Sequence, residues 1–210
     1  MNTRKTLKIA LLGGTFDPVH NGHIFVAKHV RQVCSLDQVH LVTAGNPPHK
    51  LHQVTDAEVR HALVQAACDG EEGIVANRVE LDRPGYTYTI DTIRHLKEVY
   101  AAGPFDVRIS FITSAEYLDP ENPHHIRKWK EADELLSMID LIVTTRGQYG
   151  IEQTRQWAAL HNLPSAQIIE IPTLPVTSYV VKTAMRAGQS IASLVPPRVA
   201  TMLADMPHYH

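Results

Sequence analysis

The 210-residue sequence contains only two cysteines, no excess of basic over acidic residues and no long hydrophobic run. Cys34 and Cys68 are too few and too isolated for a disulfide framework or a four-thiolate zinc site, and they favour a reducing, cytoplasmic location. The 20 basic and 22 acidic residues give a net charge of −2, without the basic excess of non-specific nucleic-acid-binding proteins. The apolar stretch 7–12 is too short for a membrane span or a signal-peptide core. We therefore expect neither a nucleic acid nor a membrane as a partner.

Histidine, by contrast, is abundant, with thirteen residues in an otherwise ordinary globular composition. Hydrophobic residues make up 44% of the chain and charged residues 20%, so we expect a hydrophobic core. The length predicts a single domain over residues 1–210. Histidine often transfers protons, binds metals or contacts phosphate, so the position of each histidine matters for function.

Segments with the apolar run of a buried strand alternate with segments of helical periodicity. The predicted strands are 7–12, 39–43, 74–81 (one strand or a pair of strands), 107–113, 139–144 and 167–171. The predicted helices are 23–33, a helix that ends at Gly70, 89–101, 126–136, 151–162, 178–187 and a last helix that begins at 196–197. The helix before Gly70 would begin at a capping box of Thr55 and Glu58 and bury Val59, Ala62, Leu63 and Ala66. The alternation predicts an α/β fold, a doubly wound, mainly parallel, Rossmann-like sheet with helices on both faces.

The segment 13–23, GGTFDPVHNGH, lies between the first predicted strand and the first predicted helix. In a doubly wound sheet this turn lies at the carboxyl end of a strand, where nucleotides bind. Gly13 and Gly14 allow a ligand to approach the backbone, and the helix start offers free amides to an anion. His20 and His23 are three residues apart, so both could donate hydrogen bonds to one polyphosphate.

Other interpretations of this segment fit less well. It lacks the third glycine of the dinucleotide fingerprint, and no Gly-Lys-Ser/Thr closes a Walker loop. Zinc could use His20 and His23, but a third ligand would have to come from elsewhere in the chain. Zinc binding by the pair and two exposed histidines without a role remain as minor alternatives.

The same segment resembles the signature of nucleotidyltransferases that carry a His-x-Gly-His motif, and most of all the bacterial nicotinate-nucleotide adenylyltransferases. Further segments agree with that family in the same order along nearly the whole chain: 48–50 (PHK), 83–92 (RPGYTYTIDT), Trp129, 188–191 (GQSI) and 194–196 (LVP). Pantetheine-phosphate and cytidylyl relatives share the first motif, but the 88–92 segment favours the pyridine-nucleotide branch.

The resemblance implies transfer of AMP from ATP to nicotinate mononucleotide, with Mg²⁺ bound mainly through the ATP phosphates. The alternatives are transfer to nicotinamide mononucleotide or another mononucleotide, and a nucleotide-binding paralogue with weak turnover. The sequence does not fix the oligomeric state, and a homo-oligomer is one option.

The resemblance also assigns residues to roles, and none of them to a metal site. The expected catalytic residues are His20, His23 and Lys50; the expected ATP contacts are Gly13, Gly14, Thr15, Phe16, His20, His23, Ser178 and Lys182; and the expected substrate contacts are Asp17, Thr89 and Trp129. The helical part at about 176–206 would complete the ATP site. Thr89 could equally well cap the third helix, and Trp129 could equally well pack in the core. The alternative for Lys50 is a solvent-exposed surface position without a role.

The chain departs from the family pattern at two places. Lys182 follows Thr177 and Ser178 where the family has an arginine, so the positive charge is kept but the two-pronged grip on phosphate is lost. Residues 114–116, SAE, stand where the family has Gly-x-Asp, which puts substrate positioning there in doubt.

Overall fold

A computed structural model describes residues 4–46, 54–147, 149–206 and 209. The strands are β1 (Thr6–Gly14), β2 (Gln38–Thr43), β3 (Ile74–Asn77), β4 (Asp106–Ser114), β5 (Asp140–Thr145) and β6 (Gln167–Glu170). The helices are α1 (Asn21–Val33), α2 (Ala57–Cys68), α3 (Thr89–Ala101), α4 (Ala132–Met138), α5 (Ile151–Leu160), α6 (Ser178–Arg186) and α7 (Pro197–Ala204), with short 3₁₀ turns at Ala115–Tyr117 and Ile126–Lys128.

The strands form one parallel sheet in the order β3-β2-β1-β4-β5-β6, which confirms the predicted fold class. Side chains of β1 alternate between two apolar clusters: Ala10 faces the cluster that contains α1, α2, α6 and α7, whereas Ile9 and Leu11 face α3, α4 and α5. Helices therefore cover both faces of the sheet. The strand order reverses between β1 and β4, and ligands of open α/β sheets bind at such a switch point.

The largest difference from the prediction lies in the segment 126–136, which is not one helix. A 3₁₀ turn ends at Lys128, Trp129 is extended, and α4 begins only at Ala132. Glu131, at the N-cap of α4, has a left-handed backbone with φ of 50°. The break leaves Trp129 in a loop after β4 instead of on a helix.

Two smaller differences concern the neighbourhood of α2. The predicted strand 74–81 stops at Asn77, whose side-chain oxygen accepts the Val79 amide at 2.9 Å and turns the chain. The N-cap of α2 is Asp56, which accepts the amides of Glu58 and Val59; the predicted capping box of Thr55 and Glu58 does not form.

In the part of the chain that the structure describes, no helix combines the length and the apolarity that crossing a bilayer requires.

A buried polar network joins the two strands at one edge of the sheet. The His40 ring lies 2.9 Å from Gln38 Oε1 through Nε2 and 3.1 Å from Asn77 Nδ2 through Nδ1, so a neutral ring satisfies both neighbours. Only 7% of His40 is exposed, and burial lowers its pKa from 6.5 to about 4.

This network predicts a loss of stability in mild acid. Between pH 6.5 and 4 the unfolded chain binds a proton at His40 that the folded chain does not, so the free energy of unfolding falls as pH falls through this range. Between pH 7 and 4.5, we expect the free energy of unfolding of His40→Asn to fall by about 1–3 kcal/mol less than that of the wild type. Urea unfolding at a series of pH values measures this, and parallel curves for the two proteins would contradict it.

Candidate active site

The candidate site lies at the carboxyl end of β1, where the predicted glycine turn leads into α1. Gly14 pairs with Thr43 of the neighbouring strand, and a Cβ atom at Gly14 would lie 2.7 Å from the Phe16 ring. Any larger residue would therefore displace Phe16, which is 2% exposed and has a φ of 50°. Gly13 is under no such constraint, since its Cβ would come no closer than 3.9 Å to Phe111. Contact of Gly13, Gly14, Thr15 and Phe16 with ATP stays a prediction, and Phe16 also has a structural role.

His20 and His23 form a reciprocal cap at the start of α1. His20 Nδ1 accepts the Gly22 amide at 3.1 Å, and His23 Nδ1 accepts the His20 amide at 3.2 Å. The two rings stack with centroids 3.7 Å apart. Because each Nδ1 accepts a backbone N–H, each neutral ring carries its proton on Nε2. The pair thus presents two Nε2–H donors at the amino end of a helix, the arrangement that binds phosphate oxygens.

Both histidines are neutral in the free protein. Burial, together with the positive charge of Arg146, lowers the pKa of His20 from 6.5 to about 4. The pKa of His23 is lowered well below 6.5 by burial, by His20 and by Arg146. The neutral rings can therefore act as oriented hydrogen-bond donors, and any positive charge in the site has to come from other side chains.

Arg146 is a cation that the sequence analysis missed. It directly follows β5, which ends at Thr145, and it is exposed at the same edge of the sheet as the two histidines. Its positive charge contributes to the lowered pKa of both rings. The signal was available, because a cation immediately after a predicted strand lies at the edge where ligands bind.

Asp17, in the turn between β1 and α1, forms a largely buried ion pair with Lys182 of α6. Lys182 Nζ lies 2.7 Å from Asp17 Oδ2, and both side chains are 13% exposed. Burial by itself would raise the pKa of Asp17, but hydrogen bonds from Lys182, Thr55 and Tyr209 lower it below its usual value. In the free protein, the lysine predicted to bind ATP is therefore held by the aspartate predicted to bind substrate.

Ser178 fixes the start of α6 against the same loop. Its hydroxyl donates to the Pro18 carbonyl at 2.9 Å, and the Thr177 hydroxyl caps α6 by accepting the Val180 amide. The hydroxyl of Ser178 is therefore already used, and its predicted contact with ATP would come through the helix-start amide.

A second missed residue, Arg60 of α2, holds the turns that surround the site. Its guanidinium donates to the carbonyls of Thr15 at 2.6 Å, Ala44 at 2.7 Å and Thr55 at 2.8 Å. Only 1% of Arg60 is exposed. Burial lowers its pKa, and the negative charge of Asp17 acts in the opposite direction.

The predicted substrate side of the site begins at α3. Thr89 is the first residue of this helix and Tyr88 is its N-cap, without a side-chain hydrogen bond. The alternative role of Thr89 as the helix cap is therefore wrong, and no side chain among the described residues caps the first amides of α3. The loop before α3 lies against the turn after β2, since the Thr87 amide donates to Asn46 and a Cβ at Gly45 would meet the Glu80 carbonyl at 2.5 Å.

Trp129 lies next to this helix start. Its Nε1 donates to the His124 carbonyl at 3.0 Å, and its half-buried ring packs edge-on against Phe111 and Tyr117. The following residue, Lys130, lies 4.8 Å above the Tyr88 ring and 3.0 Å from Asp91. Trp129 is thus partly packed in the core, as its alternative role required, and its contact with substrate stays a prediction.

Lys50 lies outside the described residues, so its catalytic role stays a prediction. Among the described residues, no group of three or more histidine, cysteine or acidic side chains is arranged to hold a metal ion.

Comparison with known proteins gives consistent matches along the chain. The family model for cytidylyltransferase-like proteins matches residues 11–184. A probable nicotinate-nucleotide adenylyltransferase of Thermoanaerobacter sp. (strain X514) is 35% identical over 201 residues, which cover 93% of this chain and 90% of the relative. The corresponding protein of Clostridium novyi (strain NT) is 32% identical over 206 residues and covers 96% and 98%.

Solved structures show the same fold. The nicotinic acid mononucleotide adenylyltransferase of Plasmodium falciparum, complexed with NaAD, superposes with a TM-score of 0.74 at 18% identity and covers 97% of each chain. A putative nicotinate-nucleotide adenylyltransferase of Vibrio parahaemolyticus gives a TM-score of 0.63 at 19% identity over 97% of this chain and 95% of that one.

Proposed function

The chain belongs to the nicotinate-nucleotide adenylyltransferases of the cytidylyltransferase-like family, and from this membership we propose that it transfers AMP from ATP to nicotinate mononucleotide. The products are deamido-NAD and pyrophosphate, so the enzyme serves NAD biosynthesis. The observation that carries the proposal is the pair of Nε2–H donors of His20 and His23 at the amino end of α1. The charge of Arg146 acts on both rings, and Lys182 is bound to Asp17 in the turn that leads to them.

The chemistry requires alignment and charge stabilisation more than a protein nucleophile. An oxygen of the 5′-phosphate of nicotinate mononucleotide attacks the α-phosphorus of ATP, and the bond from that phosphorus to the oxygen bridging to the β-phosphate breaks. The electron pair leaves with pyrophosphate, whose charge grows in the transition state. Donors fixed before the reaction stabilise such charge effectively, and the stacked, reciprocally capped rings of His20 and His23 are fixed in this way.

Magnesium fits this site as a partner of the substrate. Asp17, the carboxylate of the turn, is already bound by Lys182 and Tyr209 and is poorly placed to ligate a metal. Mg²⁺ commonly keeps several waters and binds through substrate phosphates, so it would enter on ATP and neutralise part of the phosphate charge. A cytoplasmic location agrees with the free thiols of Cys34 and Cys68.

The substrate side favours a carboxylate over an amide. The first amides of α3 have no side-chain cap, and Lys130 adds a positive charge at the same helix start. Both features stabilise an anion such as the pyridine carboxylate. We therefore place the pyridine ring beside Trp129 and its carboxylate near Thr89.

The activity is tested by incubating the protein with ATP, Mg²⁺ and either nicotinate or nicotinamide mononucleotide and measuring pyrophosphate. We expect pyrophosphate to be released when ATP and a mononucleotide are both present. The kcat/KM should be higher for nicotinate mononucleotide than for nicotinamide mononucleotide. No release with either mononucleotide contradicts the adenylyltransferase function and leaves the nucleotide-binding paralogue. A higher kcat/KM for the amide would contradict the substrate assignment alone.

Lys130 offers a sharper test of acid preference. Because it is partly exposed and paired with Asp91, its contribution is moderate, and we expect Lys130→Met to lower the acid-to-amide ratio of kcat/KM about three- to tenfold. Lys97→Met removes the same charge from an exposed position of α3 and serves as the matched control. Equal ratios in both variants would show that Lys130 does not contribute to the selection.

A further inference from the structure

A tyrosine that follows α7 reaches into the candidate active site from the far end of the sequence. Tyr209 lies 192 residues from Asp17 along the chain, and its hydroxyl donates to Asp17 Oδ1 at 2.8 Å. Tyr209 is 4% exposed and belongs to the same apolar cluster as Phe16 and Val181. Its place is therefore fixed by packing and by a hydrogen bond to a charged acceptor.

Asp17 links this tyrosine to the rest of the site. One carboxylate oxygen receives the Tyr209 hydroxyl, and the other receives Lys182 Nζ at 2.7 Å and the Thr55 amide at 3.5 Å. Lys182 Nζ also lies 5.4 Å from the centre of the Tyr209 ring. The three side chains form one cluster, which we call the Asp17 cluster: Asp17, Lys182 and Tyr209.

The cluster is part of the turn between β1 and α1, because Asp17 lies in that turn. Asp17 precedes Pro18, whose carbonyl accepts the Ser178 hydroxyl, and the same turn ends at His20, the cap of α1. A shift of the Asp17 side chain would therefore change the position both of Lys182 and of the turn that leads to the histidines.

We propose that Tyr209 is a positioning residue for ATP: by donating to Asp17 it shares the charge of that carboxylate and leaves Lys182 able to turn to the ATP phosphates. The proposal rests on the proposed function, since it assigns ATP to this site. Lys182 is held by a strong charged hydrogen bond in the free protein, and ATP has to compete for it with Asp17. A carboxylate that also receives a phenol hydroxyl is less basic, so it competes less strongly for the lysine than the same carboxylate without that donor.

The phenol is suited to this role because it stays protonated. Burial and the negative charge of Asp17 raise the pKa of Tyr209 above its ordinary value of 10, so it remains a donor at any physiological pH. Without the hydroxyl, Asp17 would keep Lys182 and its hydrogen bonding to Thr55, and its Oδ1 atom would lose the Tyr209 donor.

Titration calorimetry with a non-hydrolysable ATP analogue, methylene-bridged between the α- and β-phosphates, tests the proposal in the presence of Mg²⁺. We expect Tyr209→Phe to weaken binding about five- to tenfold. In turnover it should raise KM for ATP by a similar factor and leave KM for nicotinate mononucleotide within about twofold. Tyr100→Phe removes a hydroxyl from the opposite face of the sheet and should bind the analogue like the wild type.

A double-mutant cycle separates positioning from general loosening. In the Lys182→Met background the lysine is gone, so Tyr209→Phe should change analogue binding less than about twofold. Unchanged binding in the single variant, or an undiminished effect in that background, would overturn the proposal. Tighter binding in Tyr209→Phe would overturn it as well, because it would mean that the tyrosine competes with ATP.

The same measurements distinguish the two levels of inference. If the wild type binds the analogue but forms no dinucleotide, the proposed function fails while the comparison of variants remains valid. If the wild type forms dinucleotide and Tyr209→Phe matches it in KM for ATP, only the positioning role fails.

Discussion

Replacement of His20 by alanine is expected to lower kcat about 10²- to 10³-fold, the usual cost of removing one fixed donor from a site where charge develops. His20 contributes one of the two Nε2–H groups, and its loss also leaves the His23 ring without its stacking partner. The rate of dinucleotide formation at saturating ATP and nicotinate mononucleotide measures the effect.

The same change should also affect stability, because His20 caps α1. Its Nδ1 accepts the Gly22 amide, and loss of an N-cap side chain costs about 1 kcal/mol. The His20→Ala variant alone therefore cannot distinguish a catalytic role of His20 from a structural one. Asparagine is among the best N-cap residues, so His20→Asn should keep the free energy of unfolding within about 0.5 kcal/mol of the wild type.

The two variants together decide the role of His20. We expect His20→Asn to fold normally and to lose activity nearly as fully as His20→Ala, because its shorter side chain cannot both cap the helix and reach a phosphate. His95→Ala, at an exposed position of α3, controls for the loss of a histidine as such. If His20→Asn retains more than about a tenth of the wild-type kcat, the ring is structural and the phosphate role belongs to other groups.

The sequence predicted the parts of the site that depend on local pattern. The motif 13–23, the start of α3 at Thr89 and the start of α6 at Ser178 follow from glycines, turn residues and helical periodicity, and the structure confirms these element positions. Relations between distant residues could not be predicted in this way. The contact of Asp17 with Tyr209 joins residues 192 positions apart, and no periodicity reports on it.

The buried face of α2 shows how a local pattern can mislead. Apolar periodicity predicted a face of Val59, Ala62, Leu63 and Ala66, of which Leu63 is buried while Val59 and Ala66 are partly buried against the core. The other fully buried residues of the helix are Arg60, His61, Val64, Ala67 and Cys68. The actual face has the i, i+3, i+4, i+7 spacing that starts at Arg60. A hydrophobic pattern places every arginine on the solvent-facing side, because it contains no information about the backbone carbonyls that surround Arg60 in the fold.

Those carbonyls make Arg60 the position with the largest expected effect on stability. Replacement by methionine keeps much of the side-chain volume but leaves the carbonyls of Thr15, Ala44 and Thr55 without their donors in a buried place. Each unsatisfied buried group costs about 1–3 kcal/mol, and some recover partners by local rearrangement, so we expect Arg60→Met to lower the free energy of unfolding by about 3–5 kcal/mol. Urea unfolding with a common m-value measures this change.

Lysine at the same position provides the intermediate case. Arg60→Lys keeps the charge near Asp17, but a single ammonium lacks the fork of the guanidinium and cannot reach all three carbonyls. We therefore expect the free energy of unfolding to fall by about half as much as in Arg60→Met. Arg155→Met removes an exposed arginine that pairs with Glu152 on α5, and it should change stability by less than about 0.5 kcal/mol.

The activity of Arg60→Lys then tests what the buried arginine does for the site. Thr15 lies between Gly14 and Phe16 in the turn that leads to the histidines, and Ala44 lies in the turn after β2, so Arg60 joins the turns that follow these two neighbouring strands. At a temperature where Arg60→Lys is fully folded, we expect a weaker affinity for the ATP analogue than in the wild type, whereas Arg155→Met should bind it normally. If Arg60→Lys loses stability but binds the analogue like the wild type, the arginine supports the fold without shaping the nucleotide site.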